Sequence, residues 1–157
     1  MAHYDCRIQV LRDNKLVEIS SDDLVPGDVI EIPSFCKMPC DAVLIDGICV
    51  MNESMLTGES IPVVKNELPH SKIQVYSPIS DKKFTLYSGT DVIQTWKTSN
   101  DFVKAIVMWT GFNTTKGLLV KSILYPKPTK FKFYSDSLKF IFSMGILAVI
   151  GFLITLP

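Results

Sequence analysis

The densest run of polar side chains lies at residues 52–60, with the sequence NESMLTGES. Gly58 has no Cβ, so the backbone there can adopt a positive φ and come close to a phosphate-sized group. The hydroxyls of Thr57 and Ser60 can fix the loop by hydrogen bonds. Glu59 is then held out as a carboxylate, which can orient a water for attack on a phosphoryl group. An ordinary solvated turn uses the same residue types, so composition alone leaves both interpretations open.

No metal site is expected from the sequence. The four cysteines form no Cys-x-x-Cys pair and are remote from both histidines: Cys6, Cys36, Cys40 and Cys49, with His3 and His70. In a cytoplasmic domain these cysteines are reduced, and we expect them to pack as small apolar side chains. Asp22 and Asp23 are interpreted as a turn or cap, and Asp28 and Asp41 as groups that stabilise turns or orient loops.

Length and composition exclude two classes of protein. The chain has 157 residues, 47% of them apolar, with 16 basic and 16 acidic side chains. This is neither a disordered tail nor a nucleic-acid binder driven by positive charge, so no nucleic-acid partner is expected. The length fits one domain with its own core plus an appendage.

The elements that must position the polar loop are predicted to be strands. Short segments rich in Val and Ile alternate with turn residues, and Asp46-Gly47 is a strong hairpin signal. Several such units predict a mainly β fold, a compact antiparallel sandwich or barrel. Residues 66–83 are predicted to form a long surface loop. The predicted strands are 7–11, 16–19, 29–32, 42–45, 48–51, 84–87, 90–95 and 102–109.

The C-terminal part of the chain differs from the rest. A short helix, capped by Asn113 or Thr114, is expected to run to Leu124, and Pro126 and Pro128 break it. Residues 125–137 are then predicted to be a juxtamembrane linker, and 138–157 a transmembrane helix, either whole or truncated. Residues 121–157 carry five lysines and a single aspartate, which places the preceding domain on the cytoplasmic side. A buried core helix is the alternative interpretation of the apolar segment.

The exact motifs, in their order along the chain, add a resemblance to a known family. Residues 8–120 resemble the actuator domain of P-type ATPases, a distorted jelly-roll of antiparallel strands with a short helix. The domain is expected to occupy residues 1–124. The matching motifs are Pro26-Gly27-Asp28, Met38-Pro39-Cys40-Asp41-Ala42, Thr57-Gly58-Glu59-Ser60, Pro62-Val63 with Lys65, Ser88-Gly89-Thr90 and Thr110-Gly111-Phe112.

This resemblance implies a role in a larger polypeptide. In the family, ATP phosphorylates an aspartate in an Asp-Lys-Thr-Gly motif on a separate domain, and the actuator domain then rotates to dock its loop on that group. Glu59 is thereby implied to orient the hydrolytic water, Gly58 to allow close approach, and Thr57 and Ser60 to support the loop. ATP and Mg²⁺ belong to the phosphorylation and nucleotide-binding domains, and no cofactor or metal is expected on this chain, which lacks that motif and a Walker A pattern.

Within the superfamily the chain looks most like the fifth class, in its polyamine-transporting branch of late endosomes and lysosomes. Cys40 stands where most P-type pumps have a small residue, and Asn52 replaces an aspartate that many ion pumps carry. The resemblance implies a multi-pass membrane protein with this domain cytoplasmic. Membrane lipid and a transported cation or polyamine would be its further partners.

Three alternatives remain open at the level of sequence. One is a catalytically silent, single-pass anchored β domain that binds a protein partner. The second is a pump for an inorganic cation, and the third, in the endoplasmic-reticulum branch, a transporter of a membrane-protein helix. Because the family's actuator domain follows earlier membrane helices, the chain is expected to be a fragment of a longer protein.

Overall fold

The computed structural model describes residues 6–13, 15–69, 76–78, 80–97, 102–126 and 132–155. The chain divides into two compact units, Met1–Leu124 and Tyr125–Pro157. The first unit holds all the strands of the described residues and the polar loop, and the second holds one long helix.

The first unit is built from nine strands in its described part, which confirms the prediction of a mainly β fold. The hydrophobic alternation and the turn residues between the segments account for most of their positions. The strands are β1 (Arg7–Arg12), β2 (Lys15–Ser20), β3 (Val29–Glu31), β4 (Asp41–Asp46), β5 (Ile48–Asn52), β6 (Val63–Lys65), β7 (Thr85–Leu86), β8 (Asp91–Trp96) and β9 (Lys104–Trp109).

The strands form two antiparallel sheets. The larger sheet has six strands in the order β2-β1-β3-β9-β4-β7, and the smaller has three in the order β6-β5-β8. A turn at Gly47, with φ of +95°, joins β4 of the larger sheet to β5 of the smaller. The core contains fully buried side chains from both sheets, among them Val10, Ile30, Leu44 and Met51. The polar loop therefore starts from a strand whose buried side is fixed in the core.

Two sequence predictions about the region before β8 need correction in part. The strand expected at 84–87 is shorter, Thr85–Leu86, because a 3₁₀ helix at Lys82–Phe84 precedes it. The described residues of 66–81 contain no helix or strand, as expected for a loop, but the segment is not wholly at the surface: the Leu68 amide bonds the Leu44 carbonyl at 2.8 Å and Asp81 is only 4% exposed. The Asp81 carboxylate accepts the amide of Ser77 at 2.9 Å, which gives this buried charge a partner. Residues 70–75 and 79 lie outside the described part.

The predicted short helix is α2 (Thr115–Leu124), after α1 (Ser54–Thr57) in the polar loop. Of the two expected caps, Thr114 is the one used, because its hydroxyl accepts the amide of Gly117 at 3.0 Å. Asn113 instead ends a 3₁₀ helix at Gly111–Asn113. A Cβ at Gly117 would collide with the backbone of Gly111 and Phe112. Glycine at this position is therefore what lets α2 start so close to the preceding turn.

The second unit contains α3 (Lys132–Thr155). Its stretch Tyr134–Ile154 has 21 residues and a mean hydropathy of 2.2, so it is long and apolar enough to cross a bilayer. The apolar side chains along it are exposed in the structure; Phe142, for example, is 73% exposed. The helix begins at Lys132, inside the linker predicted for 125–137. The helix-breaking prolines, Pro126 and Pro128, both precede this start.

Candidate functional site

The polar loop connects β5 to β6 and begins with a single helical turn. The side chain of Asn52 accepts the amide of Ser54 at 3.1 Å and so starts the turn. The Glu53 carbonyl then accepts the amides of Leu56 and Thr57, at 2.9 and 3.0 Å. These bonds close α1 at the base of the loop and aim its C-terminal end toward solvent.

Gly58 ends the turn in the left-handed conformation, with φ of +76°, and its amide donates to the carbonyl of Ser54 at 2.9 Å. This is the usual glycine position after a helix, because other L residues are strained there. A Cβ on Gly58 would meet no atom of the described residues within 4 Å. The space beside this residue is therefore open to an incoming group.

Thr57 fixes the loop on both of its sides. Its hydroxyl donates to the carbonyl of Glu53 at 3.2 Å and accepts the backbone amide of Glu59, also at 3.2 Å. Glu59 and Ser60 are both exposed. Among the described residues, the Ser60 hydroxyl has no hydrogen-bond partner. The loop thus combines a fixed backbone with an exposed carboxylate.

A buried ion pair underlies the loop, and sequence reasoning did not single it out. The Lys65 ammonium lies 2.7 Å from Oε1 of Glu53, with side chains only 2% and 8% exposed. Glu53 directly follows β5, and Lys65 lies at the far end of β6, opposite Cys49, so the pair joins the start of the loop to the strand that follows it. The available signal was a single Glu before the loop and a single Lys after it, which does not by itself predict burial.

Three of the other motifs, those at 38–42, 88–90 and 110–112, meet at a different place. Asp41, 1% exposed, accepts the amide of Ser88 through Oδ1 and both the amide and hydroxyl of Thr115 through Oδ2, at 2.7–2.8 Å. It thereby ties β4 to the start of α2, which confirms the predicted loop-orienting role. A cleft of about 300 Å³ lies beside it, lined by Met38, Pro39, Cys40, Ser88, Gly89, Thr110, Gly111 and Phe112 among others. The lining includes none of residues 57–60.

Asp28 also has the predicted structural role. Its carboxylate accepts the amide of Val25 at 3.1 Å and forms a two-pronged contact with the Arg12 guanidinium, at 3.2 and 2.7 Å. The hydrogen bond from Arg12 is the main cause that lowers the pKa of Asp28 below its ordinary value. The contact joins the end of β1 to the turn before β3.

The cysteines are free thiols, as predicted, and two lie in the core, Cys40 and Cys49. Burial raises the pKa of Cys36 to about 11 and those of Cys40 and Cys49 to about 12. These three are therefore protonated and unreactive at neutral pH. Across the described ranges, no group of three or more His, Cys, Asp or Glu side chains could hold a metal ion.

The two-sheet fold and the Thr-Gly-Glu-Ser loop define a class: the chain belongs to the P-type ATPase actuator domain family, whose sequence model matches residues 4–124. The predicted family resemblance is confirmed. The chain is 52% identical over 163 residues to the polyamine-transporting ATPase 13A3 of Mus musculus, a match that covers 98% of this chain and 13% of that protein. This agrees with the predicted polyamine-transporting branch.

Other relatives have broader names. The probable cation-transporting ATPase 13A5 of Homo sapiens is 49% identical, over 91% of this chain and 12% of its own length. The vacuolar cation-transporting ATPase YPK9 of Saccharomyces cerevisiae is 42% identical, over 99% of this chain and 11% of its own length. The chain thus spans between 11% and 13% of these three relatives.

The fold also matches a solved structure. The crystal structure of a zinc-transporting PIB-type ATPase in the E2·Pi state aligns with a TM-score of 0.56 and 23% sequence identity. The match covers 91% of this chain and 21% of that one. At this identity the likeness concerns the fold alone.

Proposed function

We propose that this domain ends the phosphorylated intermediate of an ATP-driven transporter. The observation that carries the proposal is an exposed Glu59 carboxylate on a backbone fixed by Thr57. A water that attacks an aspartyl phosphate must be held in line with the bond that breaks and must lose a proton. Glu59 orients that water and accepts the proton, while the open space at Gly58 admits the phosphoryl group.

The step conserves all atoms. The water oxygen forms a bond to phosphorus, the bond between phosphorus and the aspartate oxygen breaks, and inorganic phosphate and a free aspartate remain. Thr57 and Ser60 complete the loop that docks, with the Ser60 hydroxyl left available for the docked partner. The phosphorylated aspartate belongs to another domain of the same polypeptide, which we infer to be several times longer than this chain.

ATP and Mg²⁺ are assigned to those other domains. Within the part of this chain that the structure describes, no three or more His, Cys, Asp or Glu side chains are grouped as a metal site. The docking of the loop and its release would move α3 through the segment that follows α2, which couples phosphate hydrolysis to transport. We propose that α3 spans the membrane, with the β unit on the cytoplasmic side and membrane lipid around the helix.

The transported substrate is proposed to be a polyamine or another organic cation, because the relative with 52% identity is named as a polyamine-transporting ATPase. A late endosomal or lysosomal membrane is the proposed location, with which the vacuolar yeast relative is compatible. An inorganic cation is the alternative substrate.

The test uses membranes that contain the full-length polypeptide. Incubation with radiolabelled ATP should give an acid-stable, hydroxylamine-labile phosphoprotein much larger than 17.6 kDa, and added spermine should speed its loss. Stimulation by a metal cation instead of spermine would overturn the polyamine assignment. The absence of any hydroxylamine-labile phosphoprotein would overturn the proposed function itself.

A further inference from the structure

The buried pair between Glu53 and Lys65 is costly for the fold. Removing two charges from water costs several kcal/mol for each ion, and mutual attraction offsets this only with good geometry. Among the described residues, Oε1 of Glu53 accepts no hydrogen bond from any other group, so the Lys65 ammonium 2.7 Å away is what compensates its charge. A loop that only had to close could do so with apolar side chains. The pair therefore calls for a role that depends on its geometry.

A short series of contacts joins this pair to the loop tip. The Glu53 side chain is held by Lys65, and the carbonyl of the same residue accepts the Thr57 hydroxyl at 3.2 Å. That hydroxyl accepts the amide of Glu59. A shift of Glu53 at the base is thus transmitted through Thr57 to the backbone that bears the Glu59 carboxylate.

Lys65 also joins the loop to the larger, six-stranded sheet. Its ammonium donates to the carbonyl of Lys82 at 3.0 Å and lies 5.1 Å from the centre of the Tyr87 ring. Lys82 begins the 3₁₀ helix that leads into β7 of the six-stranded sheet, whereas Lys65 itself lies in the three-stranded sheet. One ammonium group therefore fixes the loop base against both sheets.

Tyr87 packs against the pair. Desolvation, with the charge of Glu53 as the next cause, raises the pKa of Tyr87 to about 12. Tyr87 is therefore neutral and offers its ring face to the ammonium, an arrangement that stabilises the cation.

We propose that Glu53 and Lys65 are positioning residues for dephosphorylation: together with the Lys82 carbonyl, they set the direction in which Glu59 points. The proposal rests on the function proposed above for Glu59. Neither residue touches the reacting atoms. A displacement of about 1 Å at a reacting group can cost about 100-fold in rate, so a loosened base should be visible in the chemical step.

The test measures phosphoenzyme decay in membranes that contain the full-length polypeptide. Lys65→Met removes the ammonium at similar length, and the double variant Glu53→Gln with Lys65→Met removes both charges. The double variant keeps the protein testable because neutral replacement of a whole buried pair is often tolerated, whereas a lone buried charge is not. Lys15→Met, which removes an exposed lysine on β2, is the matched control.

Both variants should form phosphoenzyme within about twofold of the wild-type rate and lose it about 10- to 100-fold more slowly. Lys15→Met should match the wild type in both rates. The decay rate constant is measured per phosphorylated molecule, so a loss of folded protein alone does not change it. A role in stability only would lower the amount of phosphoenzyme and leave the rate constant of its decay unchanged.

Glu59→Gln, measured alongside, separates the two proposals. If it slows decay while the double variant decays at the wild-type rate, the positioning role is wrong and the catalytic role stands. If Glu59→Gln decays normally, the function proposed for Glu59 is wrong, and the positioning role falls with it.

Discussion

The backbone amide of Glu59 donates a hydrogen bond to the hydroxyl of Thr57 at 3.2 Å. The same hydroxyl donates to the carbonyl of Glu53, so one side chain fixes the loop on both sides of Gly58. The glutamate is therefore exposed on a backbone that is held in place. The loop therefore combines a hydrogen-bonded backbone with an exposed carboxylate.

Thr57→Val should impair the loop without unfolding the domain. Valine keeps the shape but removes the hydroxyl, so both hydrogen bonds are lost at a cost of about 1–2 kcal/mol. We expect phosphoenzyme decay in the full-length polypeptide to slow by about tenfold or more, with formation unchanged. Thr57→Ser, which keeps the hydroxyl, is the control and should decay near the wild-type rate. Equal decay in Thr57→Val and wild type would contradict a role for this hydroxyl.

Gly58→Ala separates backbone strain from access to the phosphoryl group. Alanine at a φ of +76° costs about 1–2 kcal/mol, and its Cβ would touch nothing in the isolated domain. Docked on a phosphorylated partner, however, the methyl group would occupy the open space, so decay should slow at least tenfold.

Gly27→Ala is the matched control for this prediction. Gly27 also has a positive φ, +99°, and no neighbour within 4 Å of a Cβ, but it lies before β3. The Gly27→Ala variant should lose a similar amount of stability, and its phosphoenzyme should decay at the wild-type rate. Similar slowing in both variants would mean that strain, and not access, explains the effect.

Asp41→Asn should destabilise the β unit and its junction with α2. The amide group of asparagine would face donors where the carboxylate accepts from both Ser88 and Thr115, so at least one buried bond is lost. We expect the free energy of unfolding to fall by about 2–3 kcal/mol. Urea unfolding of the chain in detergent can be followed by tryptophan fluorescence, because Trp96 and Trp109 both lie in this unit.

The control for Asp41 is Glu18→Gln, which disrupts only an exposed 3.9 Å contact with Arg7. Such surface pairs contribute about 0–1 kcal/mol. If the two variants lost the same stability, Asp41 would not have the structural role assigned to it.

The contact between Arg12 and Asp28 predicts a specific loss of stability in acid. Because the pKa of Asp28 is lowered in the folded state, its contribution is complete above the unfolded-state pKa of about 3.9. That contribution is lost as the pH falls through the folded-state value. The urea midpoint of the wild type should therefore drop between about pH 5 and pH 2.

Arg12→Gln should weaken that dependence on pH, because the main cause of the lowered pKa is removed. Arg7→Gln, whose partner Glu18 is exposed, should retain it. An identical pH profile in Arg12→Gln and the wild type would contradict the assignment.

The sequence predicted the elements whose signals are local. Alternating Val and Ile residues and the Asp46-Gly47 turn placed β4 and β5, and Thr114 was one of two expected caps for α2. The prediction of 84–87 as a strand failed because the buried Asp81 and its bonds to Ser77 and Phe84 close a 3₁₀ helix there. Propensity alone does not report such tertiary contacts.

The loop residues were also predictable, since they form one contiguous polar run at residues 52–60. The buried ion pair beneath the loop was not predictable. Glu53 and Lys65 are polar residues at the ends of adjacent strands, and exposed charges are the usual expectation for both. Their burial follows from the packing of the 3₁₀ helix and Tyr87 around Lys65, which depends on how the two sheets come together.

The most direct test of the central claim is the decay of phosphoenzyme in Glu59→Gln, measured by rapid quench in membranes with the full-length polypeptide. Radiolabelled phosphoenzyme is formed first and then chased with unlabelled ATP. Glutamine keeps the size of the side chain but cannot accept a proton from water, so we predict normal formation and decay slowed about 100-fold or more. Decay at the wild-type rate would contradict the claim that Glu59 performs the dephosphorylation step.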